Sequence, residues 1–335
     1  MVVSRLRRLW HPERFQGSTS SRHYFEGWYY KLVDAAEHHR LAVIPGISMG
    51  ENREESHAFV QVFNGTMGDF TYFTYDVDAF SASRDAFMVS IADNVFSARE
   101  MRLDIDRQDR HITGVLHFDN TVPLPSRLFS PGIMGWYTFV PFMECKHGVV
   151  SMNHCIAGSL NVDGEEMSFD DGRGYIEKDY GHSFPRAYIW MQSNHFDGDV
   201  SFMLSVARIP WLWTEFTGFL GALWYDGHVH RFTTYTGARI RRFAKQEDGI
   251  SLSIVDKQHR LNVEARSDRA ISLKSPQQGN MTGRIQESLT GTLHLALYER
   301  DSDGDHLVFE GTGRQAGIEI MDDDDVLVAD LTQSG

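Results

Sequence analysis

The segment from Gly174 to Phe196 reads GYIEKDYGHSFPRAYIWMQSNHF, two runs of strand-forming residues on either side of a Phe184-Pro185 step. Ile, Tyr, Phe and Trp favour β-strands, whereas Asp, Glu and Asn disfavour them. Carboxylates and amides within such runs therefore indicate a specific contact. We predict that they meet a ligand inside a β-barrel.

Alternation along the first run places Tyr175, Glu177 and Asp179 on one face of a strand, with Lys178 on the other. Two carboxylates about 7 Å apart in a partly apolar site cannot both ionise cheaply, so one is expected to hold a proton at neutral pH. Glu177 or Asp179 is thus a candidate acid. The alternative is a structural ion network with Lys178, Arg173 or Arg186.

The second run places aromatic and amide side chains together on one face of the next strand. They are Tyr188, Trp190, Gln192, Asn194 and Phe196. Buried amides cost free energy unless they are paired, so an apolar core has little use for them, whereas a cavity that orients a hydroxylated ring has use for both groups. The alternative is a solvent-facing edge strand.

A third run, Tyr24 to Lys31, reads YFEGWYYK and places Glu26 on one face with Tyr24, Trp28 and Tyr30. A carboxyl group among three aromatic rings is desolvated, which makes Glu26 a second candidate acid. The alternative is a salt bridge from Glu26 to Arg22 or Lys31.

Composition excludes several classes of function. The 32 Lys and Arg residues against 46 Asp and Glu residues give a formal charge of −14, which repels nucleic acid.

Two cysteines, Cys145 and Cys155, are too few to stabilise a chain of this length by disulfide bonds, so we expect free thiols in a cytoplasmic protein. No secretion signal is predicted at Met1 to Trp10, and no apolar run of about 18 residues predicts a spanning helix.

From Tyr24 onward, short apolar or alternating runs are broken by Gly, Asp or Asn, which predicts antiparallel all-β structure with few helices. About fifteen such runs are too many for one small sandwich, so we expect two barrels or two sandwiches side by side.

The acidic run Asp322 to Asp325 is predicted to be a solvated tail. His228 and His230 lack a third ligand, so no metal site is predicted.

Three motifs resemble those of the tocopherol cyclase family: the run Tyr24 to Lys31, the segment Ser130 to Tyr137 (SPGIMGWY), and Glu177-Lys178 with the Phe184-Pro185 step. The resemblance spans roughly Trp10 to Phe309. It implies a calycin-like fold, related to that of carotenoid hydratases, with two lipocalin-like antiparallel β-barrels side by side. The join would lie near Gly172, giving domains 1–171 and 172–335, the second with the acidic tail.

The same resemblance implies an intramolecular cyclase of the isomerase class, without a cofactor, that protonates a prenyl double bond and closes a chromanol ring. Glu177 or Asp179 would be the acid, with Glu26 as the second choice. The proposed substrate contacts are Trp28, Tyr30, Tyr175, His182, Tyr188, Trp190, Gln192, Asn194 and Phe196. The expected partner is an apolar or prenylated aromatic small molecule, with peripheral membrane contact. The alternatives are a lipocalin-like carrier without turnover, or a hydratase or cyclase of another polyene.

Overall fold

A computed structural model describes residues 8–333 of the chain, and nearly all of its regular structure is antiparallel β-sheet. Contacts between residues divide the chain into two units. Unit 1 contains residues 8–184 together with Leu273–Arg284, and unit 2 contains Pro185–Ser272 and the residues from Ile285 onward. The all-β prediction is confirmed.

The first sheet has twelve strands, in the order β4-β3-β2-β1-β12-β10-β9-β8-β7-β6-β5, with β11 paired to β10. Their bounds are β1 Tyr24–Val33, β2 Arg40–Met49, β3 His57–Asn64, β4 Asp69–Tyr75, β5 Phe80–Ala82, β6 Met88–Ile91, β7 Asn94–Ser97, β8 Glu100–Arg107, β9 Arg110–Asp119, β10 Cys145–Val162, β11 Glu165–Ser168 and β12 Gly172–Gly181. Strand β12, which the sequence analysis assigned to the second domain, pairs on both edges with strands of unit 1.

The second sheet has ten strands, in the order β16-β15-β14-β13-β22-β21-β19-β18-β17, with β20 paired to β21. Their bounds are β13 Tyr188–Ser193, β14 Ser201–Trp211, β15 Thr214–Tyr225, β16 His228–Thr233, β17 Arg239–Gln246, β18 Gly249–Val255, β19 His259–Arg266, β20 Ile271–Gln277, β21 Asn280–Asp301 and β22 Gly304–Met321. In both sheets the path of paired strands has two ends within the described residues. The closed lipocalin-like barrels therefore stay a prediction.

Helices are scarce, as predicted. Short 3-10 helices cover Val77–Ala79, Gly135–Phe139 and Thr234–Thr236, and an α-helix, which we call α1, covers Val326–Gln333. Among residues 8–333, no helix combines the length and the apolar character that crossing a bilayer requires.

The acidic run before α1 is not simply a solvated tail. Asp322 is buried, and its carboxylate accepts hydrogen bonds from the backbone N–H groups of Leu327 and Val328, each at 3.1 Å. It therefore satisfies N–H groups in the first turn of α1, where a helix has no internal acceptors. Leu327 and Leu331 in turn pack into the apolar core of unit 2.

Alternation gives each sheet one core face and one opposite face. In unit 1 the core face carries Trp28 and Tyr30 of β1 and Ile176 of β12, with apolar residues from most other strands. The β1–β12 register pairs Tyr29 with Glu177 and Lys31 with Tyr175, so all four lie on the opposite face. The side chains of Tyr175 and Glu177 are thus separated from the apolar core by the sheet itself.

Candidate functional site

Strands β10 and β12 bring one histidine between the two carboxylates that the sequence analysis selected. The register places His147 directly opposite Asp179. The His147 Nδ1 atom lies 2.9 Å from Asp179 Oδ1, and His147 Nε2 lies 3.3 Å from Glu177 Oε2. Glu177 is buried, and the side chains of His147 and Asp179 are 10% and 25% exposed. We call His147, Glu177, Asp179 and Tyr175 the His147 cluster.

The fourth member of the cluster, Tyr175, donates its hydroxyl hydrogen to Glu177 Oε2 at 2.6 Å. Cys145, a free thiol as predicted, lies beside the cluster with its Sγ atom 3.7 Å from Asp179 Oδ1. Burial raises the pKa of Tyr175, and the charge of Glu177 raises it further. Burial and the charge of Asp179 likewise raise the pKa of Cys145. Both groups therefore stay protonated at neutral pH.

The electrostatics of the cluster centre on His147. Burial by itself lowers the pKa of His147, but the charges of Glu177 and Asp179, together with the hydrogen bonds to them, outweigh burial and raise that pKa well above its usual value. His147 is therefore a cation at neutral pH. The sequence analysis expected one of the two carboxyl groups to hold the proton. It did not foresee a histidine between the two groups, and the expectation that one of them holds a proton stays a prediction.

The same three side chains offer ligand atoms to a metal ion. One nitrogen of His147 and one oxygen each from Glu177 and Asp179 all lie within 4.8 Å of one another. A nitrogen and two carboxylate oxygens form a donor set that zinc or iron accepts. A metal requires His147 to be neutral, however, and its raised pKa opposes metal binding at neutral pH. The absence of a metal site stays a prediction.

Glu26 lies on the core face and has a structural role. Its carboxylate forms an ion pair with Lys178, with Nζ 2.5 Å from Oε1, and both side chains are fully buried. It also accepts hydrogen bonds from the backbone N–H groups of Gln16 and Gly17 and from the Tyr24 hydroxyl. The sequence analysis gave a salt bridge from Glu26 to Arg22 or Lys31 as the alternative. Glu26 does form a salt bridge, but its partner is Lys178.

Lys178 completes this attachment of the N-terminal segment, because its Nζ group also donates to the backbone oxygens of Pro12, at 2.8 Å, and Arg14. Burial lowers the pKa of Lys178, and the charge of Glu26 opposes that shift. Every oxygen of Glu26 that could hold a proton already accepts hydrogen bonds. We therefore remove Glu26 from the candidate acids.

Trp28 and Tyr30 also belong to the core of unit 1 rather than to the His147 cluster. Trp28 donates from Nε1 to the backbone oxygen of Glu13 at 2.8 Å, and Lys178 Nζ lies 4.9 Å from its ring centroid. Tyr30 donates to the backbone oxygen of Ser97 at 2.9 Å. The sheet separates both residues from Glu177, so neither belongs to the His147 cluster, and their role as substrate contacts stays a prediction.

His182 follows the end of β12 and is exposed. Its Nδ1 atom contacts the backbone oxygen of His23 at 2.5 Å, and its backbone N–H donates to Glu144 at 2.7 Å. These contacts fix the chain where β12 ends. Within residues 8–333 no contact brings His182 into the His147 cluster, and its role in substrate binding stays a prediction.

In unit 2, β13 places Tyr188, Trp190 and Gln192 on one face, as predicted, and that face lies opposite the apolar core. The strand ends at Ser193, so the alternation does not continue to the last two residues of the predicted set. Phe196 packs in the core of unit 2, which corrects its assignment. Asn194 is buried and its Oδ1 atom contacts His195 Nδ1 at 2.9 Å.

The sequence analysis missed a carboxylate pair on the Tyr188 face of unit 2. Glu287 and Glu319 are buried and lie directly opposite each other in the β21–β22 register. The Tyr188 hydroxyl donates to Glu319 Oε2 at 2.6 Å. Glu287 and Glu319 are far apart in the sequence, so no local sequence pattern predicts that they lie together. Their proximity depends on the register of the long strands β21 and β22.

Two residues of unit 1 were also missed. His147 was overlooked because it lies in an unremarkable run before a β-bulge, and only the β10–β12 register brings it to Asp179. Gln61 of β3 is 3% exposed, and its Oε1 atom has no hydrogen-bond partner within the described residues. The register through Tyr29 and Ile44 places Gln61 on the same face as Glu177. A buried amide oxygen of this kind is free to accept a hydrogen bond from a ligand.

Comparison with known proteins identifies the family of this chain. The family model for tocopherol cyclase-like proteins matches residues 127–321, which include His147, Glu177 and Asp179. The chloroplastic tocopherol cyclase of Zea mays is 25% identical over 199 residues, covering 56% of this chain and 41% of the maize protein. The chain therefore matches less than half of the length of that relative.

Solved structures show likeness in fold. The crystal structure of CghA with Sch210972 has a TM-score of 0.52 and 11% identity, covering 89% of this chain and 88% of CghA. Kievitone hydratase from Nectria haematococca has a TM-score of 0.47 and 10% identity, covering 88% of each chain. The CghA likeness supports the fold alone. Because the family model matches more than half of the 335 residues, the protein belongs to the tocopherol cyclase-like family.

Proposed function

We propose that this protein is an acid-catalysed cyclase that protonates the prenyl double bond of a prenylated quinol and closes a chromanol ring. The observation that carries the proposal is the position of His147, whose Nε2 atom lies 3.3 Å from Glu177 Oε2 and whose Nδ1 atom lies 2.9 Å from Asp179 Oδ1. Family membership supports the class of reaction. A cyclase of this kind isomerises its substrate, so it needs a proton donor and a proton acceptor but no oxidant or reductant.

The cluster has the groups that each step requires. A proton that resides on His147 at neutral pH passes through Glu177 or Asp179 to one alkene carbon, which leaves a tertiary carbocation on the other. The phenol oxygen of the substrate attacks that carbocation, forms the new C–O bond, and returns its proton to the cluster. The carboxylates and the π face of Tyr175 stabilise positive charge near them.

Gln61 is the proposed orienting group for a polar end of the substrate in unit 1. Its buried Oε1 atom can accept a hydrogen bond from a hydroxyl group, and the neighbouring Phe59 and Tyr72 supply an apolar surface. Leaving such an acceptor unsatisfied costs about 1–3 kcal/mol, which a bound hydroxyl group would recover. The Tyr188, Trp190 and Gln192 face of unit 2 stays a predicted binding surface.

The test is to incubate the purified full chain with a prenylated quinol and to separate the products by chromatography. We expect a chromanol from the wild type and a loss of about a hundredfold or more in rate for Glu177→Gln combined with Asp179→Asn, since general acid catalysis contributes about 10²–10⁴-fold. The matched control is Glu165→Gln on β11, where Glu165 is exposed and turnover should not change.

The outcomes separate the alternatives. Undiminished turnover in the double variant would eliminate the carboxylates as the acid. Binding of the quinol without any product would favour a lipocalin-like carrier. A product that has gained water in place of the ring closure would favour a hydratase of a related substrate.

A further inference from the structure

The connection between β9 and β10 exposes an unusual number of large apolar side chains. Leu128 and Phe129 are 68% and 79% exposed, and Trp136, Phe139 and Phe142 are 44%, 41% and 45% exposed. We call residues 121–143 the aromatic loop. Single exposed apolar residues are normal on a protein surface, but five within fifteen residues indicate a surface that contacts something other than water.

The loop is held in this arrangement by specific contacts. Trp10 donates from Nε1 to the backbone oxygen of Leu128 at 2.9 Å, and its ring lies 5.5 Å from that of Phe139. Lys146 Nζ donates to the backbone oxygen of Thr138 at 2.8 Å. Because these contacts hold the backbone at both Leu128 and Thr138, the loop is ordered, and its large apolar side chains face the solvent.

The charge of the loop differs sharply from that of the whole chain. Residues 121–143 contain no Asp or Glu, and Arg127 is their single charged residue, whereas the chain as a whole carries −14. Arg127 is exposed beside Leu128. A surface without negative charge, with one cation and several aromatic rings, matches the boundary of a phospholipid bilayer, where Trp and other aromatic rings are favoured and cations pair with phosphate.

We propose that the aromatic loop docks the protein on a lipid bilayer by inserting Leu128 and Phe129 among the lipids. The loop leads directly into β10, which carries His147 five residues after Phe142. Docking at this position would hold the start of β10 next to the membrane. The proposal depends on the surface alone and does not require the proposed cyclase activity.

The test is flotation of the full chain with vesicles of phosphatidylcholine, with no substrate present. We expect the wild type to float with the vesicles and Leu128→Ser combined with Phe129→Ser to bind about tenfold more weakly or worse, because both substitutions remove apolar surface that insertion among the lipids would bury. Adding phosphatidylserine should weaken binding of the wild type, because the rest of the chain is acidic.

A matched control is Met67→Ser combined with Leu307→Ser, since both residues are exposed apolar residues outside the loop, at 69% and 51%. This variant should float as the wild type does. Circular dichroism checks that each variant is folded. The proposal is overturned if the wild type does not float, if both double variants bind equally well, or if light scattering shows a dimer that the loop variant dissociates, since a second copy would then cover the loop.

Discussion

His147 and Asp179 lie directly opposite each other on β10 and β12, with Nδ1 of the imidazole 2.9 Å from Oδ1 of the carboxylate. The two residues are far apart in the sequence, and the antiparallel register alone joins them. Glu177, two residues earlier on β12, reaches the other nitrogen of the same ring. The charges of the two carboxylates raise the pKa of the imidazole that lies between them.

The first prediction concerns the pKa of His147. Asp179→Asn removes one of the two negative charges that raise this pKa, so the pKa should fall. NMR titration of the imidazole resonances measures it directly. Asp197→Asn is the control, because the Asp197 side chain is 98% exposed and pairs with Arg314. An unchanged or higher His147 pKa in the Asp179 variant would contradict the arrangement.

The second prediction concerns stability at alkaline pH. The folded pKa of His147 is raised above the unfolded value of about 6.5, so the folded state binds the proton more tightly. The resulting stabilisation is complete below pH about 6.5 and is lost as the pH rises through the folded pKa. The difference in free energy of unfolding between wild type and His147→Gln should therefore shrink as the pH rises.

Urea denaturation at a series of pH values measures that difference. His306→Gln is a suitable reference, because the His306 side chain is 58% exposed, and its curve should run parallel to that of the wild type. A difference between wild type and His147→Gln that grows with pH would show that the imidazole is neutral in the folded protein.

The third prediction concerns the buried ion pair between Lys178 and Glu26. Lys178→Met leaves the Glu26 carboxylate buried without its cation, which should lower the free energy of unfolding by about 3–5 kcal/mol. Adding Glu26→Gln removes the uncompensated charge and should recover part of the loss. Guanidinium denaturation measures both variants. If the double variant is less stable than Lys178→Met, charge burial is not the cause.

The fourth prediction concerns Asp322 and the helix α1. Asp322→Ala removes the acceptor of the Leu327 and Val328 N–H groups and should lower the free energy of unfolding by about 1 kcal/mol. Asp322→Asn retains one side-chain oxygen and should lower it less. Thermal unfolding compares the two variants. Equal stability of Asp322→Ala and the wild type would mean that water replaces the carboxylate without cost.

Strand alternation predicted the faces of β12 correctly. Tyr175, Glu177 and Asp179 share one face and Lys178 lies on the other, because side-chain direction in a strand depends only on position along it. The prediction failed for Phe196, because β13 ends before it, and the end of a strand depends on the pairing available to it.

The sequence analysis also failed to show that the candidate acids Glu26 and Glu177 lie apart, for a related reason. The runs of Glu26 and Glu177 look equally suited to a site, but their carboxylates lie on opposite faces of the first sheet. Nothing within either run reveals which face is the core. Only the pairing of β1 with β12 shows that Glu26 meets Lys178, while Glu177 meets His147.

The sequence by itself determined the all-β class, the strand faces and the presence of carboxylates in strands, since alternation and residue preference act over a few neighbouring residues. The tertiary structure alone decided that a histidine lies between the two carboxylates. That outcome depends on the β10–β12 register, which places His147 2.9 Å from Asp179 and 3.3 Å from the buried Glu177, and the raised pKa of His147 requires that proximity in space.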